Sequence, residues 1–463
     1  MAYQHPSVIE TSISRLPQDA YGTVRASGDD YVRIINSSKE VANNNPSTLN
    51  DAAYDQGSDL PFTVWLDKWA SEMALSPDFN FQDIGYLLLD ALGGYTAGGQ
   101  MDNGLYRHVF FAQDAAVSRQ LPARTMMKDL GSLGLYVYRD MVSGELTISG
   151  SKDGRLQTAA NYRGSGWEAL NPVSYVSPAI TGTREYGYAN QINGGIELSN
   201  GGTRQVETAT AAGTATTPGN ATLTVPGAYI AGSPLVIPVT LAGSETASQQ
   251  AALFRKALRE TKAVNKEYAV SGSGANIVLT DRKYRANDAT LNIEIGAGTT
   301  GITAAASSTD TTAGVAATTD QHYSCALSTF AINIRNPQEG DGYLQCSENM
   351  IADDPESGLL KAEDLFGVRE YTVDYSAKLD VNDPARQMMK ERTLVRVSIP
   401  IFGTGANGYS LIMTHDRGQI ISATQSANVD GFIGYSGQIQ LLSNSGVIGL
   451  QFELINDVAS YAS

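Results

Sequence analysis

The stretch from Arg369 to Leu379 reads REYTVDYSAKL, and its alternation decides the fold class. Tyr371, Val373, Tyr375, Ala377 and Leu379 fall on one side of an extended chain, and Glu370, Thr372, Asp374, Ser376 and Lys378 on the other. Successive side chains of a strand point to opposite faces, so the pattern predicts a half-buried antiparallel strand. GELTISG (144–150) and VIGLQFELIND (447–457) alternate in the same way. Many such strands joined by glycine-rich turns predict a mainly β chain, an antiparallel sandwich or barrel.

Composition narrows the function classes. The 463 residues exceed one ordinary domain, and 42% hydrophobic with 17% charged residues suits a chain that buries sizeable cores. No apolar run is long enough for a transmembrane helix, so no membrane partner is expected. MAYQHPSVIETS at the start has neither the basic nor the apolar region of a signal peptide. Without an export signal, Cys325 and Cys346 are expected to be reduced thiols, though a single disulfide stays open. Together with His5, His108, His322 and His415 they provide no zinc spacing. A formal charge of −16 disfavours gripping nucleic acid through its phosphates.

Composition also divides the chain. Residues 201–320 are rich in Ala, Thr, Gly and Ser, with linker-like edges. Between those edges TLTV, PLVIPVTL, ANIVLTD and TLNIEI read as strands, and SETASQQAALFRKALRE as a helix. Thr246 and Gln249 form a capping box there, with Ala247, Ala251, Phe254 and Leu258 on one face. The expected organisation is an N-terminal β half (1–200), an inserted small α/β surface domain (201–320) and a C-terminal β half (321–463). Charge follows the same cut: 22 acids and 14 bases, then 9 and 9, then 17 and 9, so each outer segment is −8 and the insert neutral. The outer segments echo each other. PFTVWLDKWASEMAL, FNFQDIGYLLLDALGG and YRHVFFA match VREYTVDYSAKL, DVNDPARQMMKERT and LVRVSIPIF as strand, helix and strand, with Asp83 and Asp383 near the helix starts. Duplication is one reading of this echo, and strands of merely similar length are the other.

Chemical motifs dissolve on inspection. Gly403-Thr-Gly405-Ala-Asn-Gly408 fits GxGxxG, but a strand rather than a helix follows it, which makes it a hairpin loop. SENMIADDPESGLLKAEDLF gathers carboxylates without the alternation or turn glycine of a calcium loop, so it reads as an exposed acidic loop. His108, in YRHVFFA, has Asp114 nearby but no nucleophile elbow, and is expected to be a hydrogen-bonded strand residue beside Tyr106 and Phe110. Arg255, Lys256, Arg259, Lys262 and Lys266 are expected to form the solvated face of the insert helix. No catalytic residue, metal site or cofactor is expected.

The order of segments resembles the tail tube (major tail) proteins of long-tailed bacteriophages. The likeness runs through IGYLLLDALGG, the Gly/Thr loop YTAGGQMDNG, YRHVFF, Leu121–Pro122 and the ridge from YVYRDMVSG to NYRG. It resumes with STFAINIRNP, the acidic loop, VREYTVDYSAKL, RVSIPIF and the closing GYSGQIQLLSNSGVIGLQFELIND with Asn456. It covers roughly 20–200 and 320–458, and the insert is the departure from it.

That resemblance implies rings stacked into a tube with an acidic channel for DNA, in a virion tail assembled in the host cytoplasm. Three duplicated chains or six chains would close a ring. Further implied partners are the tape measure, tail terminator and distal tail proteins, with transient, non-specific passage of double-stranded DNA. Glu370, Thr372 and Asp374 are the candidate lumen-facing positions. Ser27–Ser58, with Asp29, Asp30, Asn43, Asn44, Asp51 and Asp55, is the candidate inter-ring arm or loop. A sheath or capsid component, or a secreted β-rich carbohydrate-active protein, are the competing readings.

Overall fold

The computed structural model describes residues 10–19, 25, 31–34, 43–50, 64–101, 104–113, 121–129, 135–151, 154–164, 166–170, 184–188, 196–323, 327–337, 367–378, 385–403, 408–429, 432–443 and 449–462. The first half contains β1 (Glu10–Ser14), β2 (Tyr31–Ile34), β3 (Asn43–Asn50), β4 (Val64–Leu75), α1 (Ile84–Leu92), β5 (Gly93–Gln100) and β6 (Tyr106–Ala112). It continues with β7 (Arg124–Asp129), β8 (Leu135–Ser151), β9 (Gln157–Gly164) and β10 (Gly166–Leu170). After β11 (Ile196–Asn200) come β12 (Val206–Thr210), β13 (Gly219–Val225), β14 (Leu235–Leu241), α2 (Ala247–Glu260), α3 (Lys262–Glu267) and β15 (Tyr268–Ser271). Next are β16 (Asn276–Asp281), β17 (Glu294–Gly296), β18 (Thr309–Thr312) and β19 (Thr319–Tyr323). The second half ends with β20 (Leu327–Arg335), β21 (Glu370–Lys378), α4 (Ala385–Glu391), β22 (Leu394–Phe402), β23 (Ser410–Val429), β24 (Phe432–Leu441) and β25 (Gln451–Asn456).

The fold is mainly β and its ladders are antiparallel, with no closed barrel among the described residues. The pairings reveal an internal repeat. In the first half β1 pairs with β2 and β7, β3 with β4, β4 with β9, and β8 with β7, β9 and β10. In the second half β11 pairs with β19 and β22, β20 with β21, β21 with β24, and β23 with β22, β24 and β25. Two bulges fix the correspondence residue by residue. β7 and β22 each skip one residue, at Arg124/Met126 and Val395/Val397; β8 and β23 each skip one, at Ser143/Glu145 and Ile420/Ser422. A bulge increases local twist and bends its strand. Both long strands therefore pass from one sheet segment into another.

The repeat differs in one respect from the sequence echo. The counterpart of LVRVSIPIF is RTMMKD (β7), not YRHVFFA. The β5–β6 hairpin is an addition to the first half, and it pairs through β6 with β25 of the second. Asp383 lies outside the described residues, and at Asp83 the cap is made by its neighbour. Asn80 Oδ1 accepts from the Asp83 amide at 2.8 Å, while Asn80 Nδ2 donates to Asp83 Oδ2 at 3.0 Å.

One core joins the halves, with α1 inside it. All nine residues of α1 are buried, as its nearly unbroken apolar sequence requires, and Gly93 ends it at φ 80° with its amide on Leu89 O. Asp90 is the exception in that helix. It is fully buried, and Arg124 Nε donates to its Oδ1 at 2.6 Å while the Tyr162 hydroxyl donates to Oδ2 at 3.1 Å. Arg124 also donates to the carbonyls of Ser14 and Arg15, so one guanidinium links α1, β1 and β7.

The inserted segment has its own sheets, β15-β16-β12-β18 and β14-β13-β17, and its own core around Leu223, Phe254, Leu258, Ile277 and Leu279. The Thr246–Gln249 capping box is present. Arg255 and Arg259 are not part of a solvated face: Arg255 donates to Gly274 O and Asn276 O, and Arg259 to Val270 O. They satisfy carbonyls of the β15–β16 hairpin, whereas Lys262 and Lys266 are exposed. The insert leaves and re-enters through the β11–β19 ladder, whose last pair is Asn200 with Thr319. Tyr284 of the insert lies between the guanidinium groups of Arg204 and Arg396, 4.8 and 4.3 Å from its ring centre.

Removing one partner of a buried ion pair leaves a charge without compensation, at a cost of about 3–5 kcal/mol. Arg124→Met should lower the unfolding free energy by about that much, seen as a lower denaturant midpoint with an unchanged slope. The double variant Asp90→Leu with Arg124→Met should recover most of the loss. A single variant as stable as the parent would show that the pair carries no weight.

Candidate assembly surface

The sheet running β9-β8-β20-β21-β24-β23 has one apolar and one polar face. Leu146, Ile148, Ile332, Ile334, Val373, Tyr375 and Ile439 are buried on the first. Tyr375 needs room there, and Gly437 opposite it provides that room: a Cβ would stand 2.6 Å from the ring. The alternate positions form a chain of hydrogen bonds across four strands. Thr147 Oγ1 donates to Asn333 Oδ1 at 3.1 Å. Asn333 Nδ2 donates to Thr372 Oγ1 at 3.2 Å and to Asp374 Oδ2 at 2.7 Å, and Gln438 Nε2 donates to Asp374 Oδ1 at 2.7 Å.

The three lumen candidates thus occupy one strand of this face in different settings. Glu370 is exposed opposite Arg335, Asp374 is half-buried between two amides, and Thr372 is buried beneath Asn333. Asn333, Gln438 and Thr147 were not singled out from sequence. They sit at alternate positions in AINIR, GQIQL and ELTIS, but the register that unites them is set by pairing between strands far apart in sequence. Charges on the face are mostly matched: Arg335 Nε meets Glu145 Oε1 at 3.1 Å, and Arg163 Nε lies 3.7 Å from Glu72. Uncharged hydroxyls and amides occupy the positions between.

Continued from β9 through β4 to β3, this run ends on two edges without a partner among the described residues. β20 occupies the edge of β8 beyond its bulge, from Glu145 to Ser151. The corresponding edge of β23, Ser422–Val429, has no partner among the described residues, and neither does the edge of β3 away from β4. Asn43 and Asn44, expected in an arm or loop, lie on β3 opposite Glu72 and Ser71. The extended backbone of that Asn-rich stretch is held by the ladder rather than by propensity. Asp29, Asp30, Asp51 and Asp55 lie outside the described residues, as do Cys325, Cys346, Asp114 and the acidic loop 341–364. The GxGxxG stretch joins β22 to β23 as a hairpin.

His108 sits where the halves are joined. Its Nδ1 is 2.9 Å from the Tyr95 hydroxyl, its Nε2 is 2.8 Å from Val458 O, and Tyr461 packs edge-on at 4.9 Å. Tyr461 lies against α1 where a Cβ on Gly85 would stand 2.2 Å from its ring, and its hydroxyl donates to Gln82 O at 2.7 Å. Both imidazole nitrogens are therefore committed to structure. Among the described residues no cluster of His, Cys, Asp and Glu could hold a metal ion, and no helix is long and apolar enough to cross a membrane.

No family model matches the chain, and no curated protein matches it in sequence. Among solved structures, a chain of the "Virion of native gene transfer agent (GTA) particle" is similar at 14% identity and a TM-score of 0.20. The match covers 29% of this chain and 88% of that one. A TM-score that low carries no functional weight.

Burial lowers the pKa of His108 below its ordinary value against the opposing hydrogen bond to Val458, and burial does the same to His415 against its bonds to Arg417 and Leu442. For such a base the unfolded chain takes up the proton first. The stabilisation is complete above the ordinary histidine range and is lost as pH falls through it. His108→Gln should flatten the decline in thermal stability on acidification from neutral pH. An unchanged slope would remove His108 from the acid sensitivity.

Proposed function

We propose that this protein is a structural component of a long-tailed phage virion, polymerising as stacked rings into the tail tube. Its carrying observation is the internal repeat, which among the described residues ends on one open strand edge and begins on another. A sheet with two free edges is prone to pair with further chains, and ring closure satisfies both edges at once. Three copies would supply six repeats, giving a ring with sixfold-like symmetry.

The polar face supports the orientation of that ring. Turned inward, it would present hydroxyls, amides and largely matched charges to passing DNA, with little of the cationic density that gains affinity through counterion release. The acidity of the two outer segments acts in the same direction. The role is architectural, with no catalysis or cofactor. Its partners are further copies, the tape measure, terminator and distal tail proteins at the tube ends, and DNA in transit. Assembly takes place in the host cytoplasm and the finished protein resides in the virion tail.

Electron microscopy of the purified protein at high concentration should show rings or tubes with an open axial channel, and six lobes around the axis. A species that stays monomeric under all assembly conditions would sink the proposal. The insert should be dispensable for this. Replacing 201–318 by a two-residue Asn-Gly turn leaves the β11–β19 ladder as a hairpin, and rings should still form. Loss of rings in that variant would make the insert part of the tube wall.

A further inference from the structure

We infer that the open edge of β23 receives β3 of a second copy, antiparallel, with Asn43 of the incoming strand opposite Thr424. This rests on the ring reading above and assigns its junction residue by residue. The register comes from the repeat. Thr147 stands four residues beyond Ser143, the residue before the bulge in β8, and Thr424 stands four beyond Ile420, the residue before the bulge in β23. On the other side, Asn333 faces Thr372, which faces Gln440, which faces Gln419; Asn43 faces Glu72, which faces Arg163, which faces Val142. Gln419 and Val142 each precede the bulge by the same step. Asn43 is thus the counterpart of Asn333, and Thr424 that of Thr147.

Inside one chain these positions already make a junction between repeats, where Thr147 Oγ1 donates to Asn333 Oδ1 at 3.1 Å. The same two residue types recur at the two edges left without a partner among the described residues, and Thr424 is exposed. Between copies the same two residue types would stand directly opposite each other in the ladder. Two neighbouring positions show how the second junction differs. Glu145 and Arg335, an ion pair at 3.1 Å within the chain, become Ser422 and Asn45, so the junction between copies exchanges a salt bridge for neutral groups. Asn336, whose amide donates to Gly144 O at 2.8 Å, becomes Pro46, which has no amide proton. The ladder between copies therefore stops at Asn45. Ile421, the counterpart of Gly144 and 48% exposed in the single chain, comes beside Pro46 in this register and loses its water.

The test is disulfide trapping in the full chain, with Cys325 and Cys346 replaced by serine. Asn43→Cys combined with Thr424→Cys should oxidise to covalent multimers whose largest closed species matches the ring. The slipped pair Asn45→Cys with Thr424→Cys should cross-link far less. In the unmodified protein, amide exchange at 422–425 should slow by at least about tenfold on assembly. Rings that form with the slipped pair cross-linking best, or with 422–425 unprotected, overturn this junction and leave the tube reading standing. In-register cross-links in open chains or dimers, with no ring under any condition, support the junction and remove the tube.

Discussion

The ion pair between Asp90 and Arg124 is the constraint on which the first half depends. A helix buried on every side is held by close apolar packing, as where Gly85 meets Tyr461, and a buried carboxylate adds a directional requirement to it. A carboxylate inside that helix must meet its cation and a hydroxyl, and both are fixed on different strands. Burial raises the pKa of Asp90 while Arg124 opposes the shift, so desolvation is only partly offset. The second half meets the same point in the repeat differently: Val395 occupies the place of Arg124 at the bulge, apolar and buried. One repeat is aligned by charge, the other by shape.

Alternation and capping were legible in the sequence because both are local. The strand REYTVDYSAKL, the Leu-rich helix and the Thr246–Gln249 box each depend on residues a few positions apart. The repeat was legible only in outline. YRHVFFA looks more like LVRVSIPIF than RTMMKD does, because β7 buries Arg124 and Lys128 and so hides its apolar pattern. A strand whose polar groups are satisfied by distant carbonyls cannot be told from a loop by periodicity. The polar ladder was hidden for a related reason: Asn333, Asp374 and Gln438 are far apart in sequence and meet only through the long-range pairing of β20, β21 and β24. Asn43 and Asn44, whose residue type favours loops, lie on a strand because that stretch pairs with β4, a partner that sequence periodicity does not reveal.

The wet face and the open edges answer one physical problem. A sheet with a dry side needs a core, supplied here by α1 and the joined halves, and among the described residues its ends still carry amides and carbonyls without a strand partner. Intramolecular pairing of β8 with β20 already satisfies that need once per chain. Repetition of the same solution between chains requires no new architecture, only a second use of the edge chemistry already built into each repeat.

The insert occupies one of two equivalent places. β11–β19 carries it, while its counterpart β1–β2 carries a far shorter connection, between Ser14 and Tyr31. In a ring of the proposed kind, with the insert turned outward, decorated and bare sectors would therefore alternate around the rim. Its inner wall would repeat once per half-chain and its outer surface once per chain, so whatever approaches from outside meets half the rotational symmetry that the interior follows.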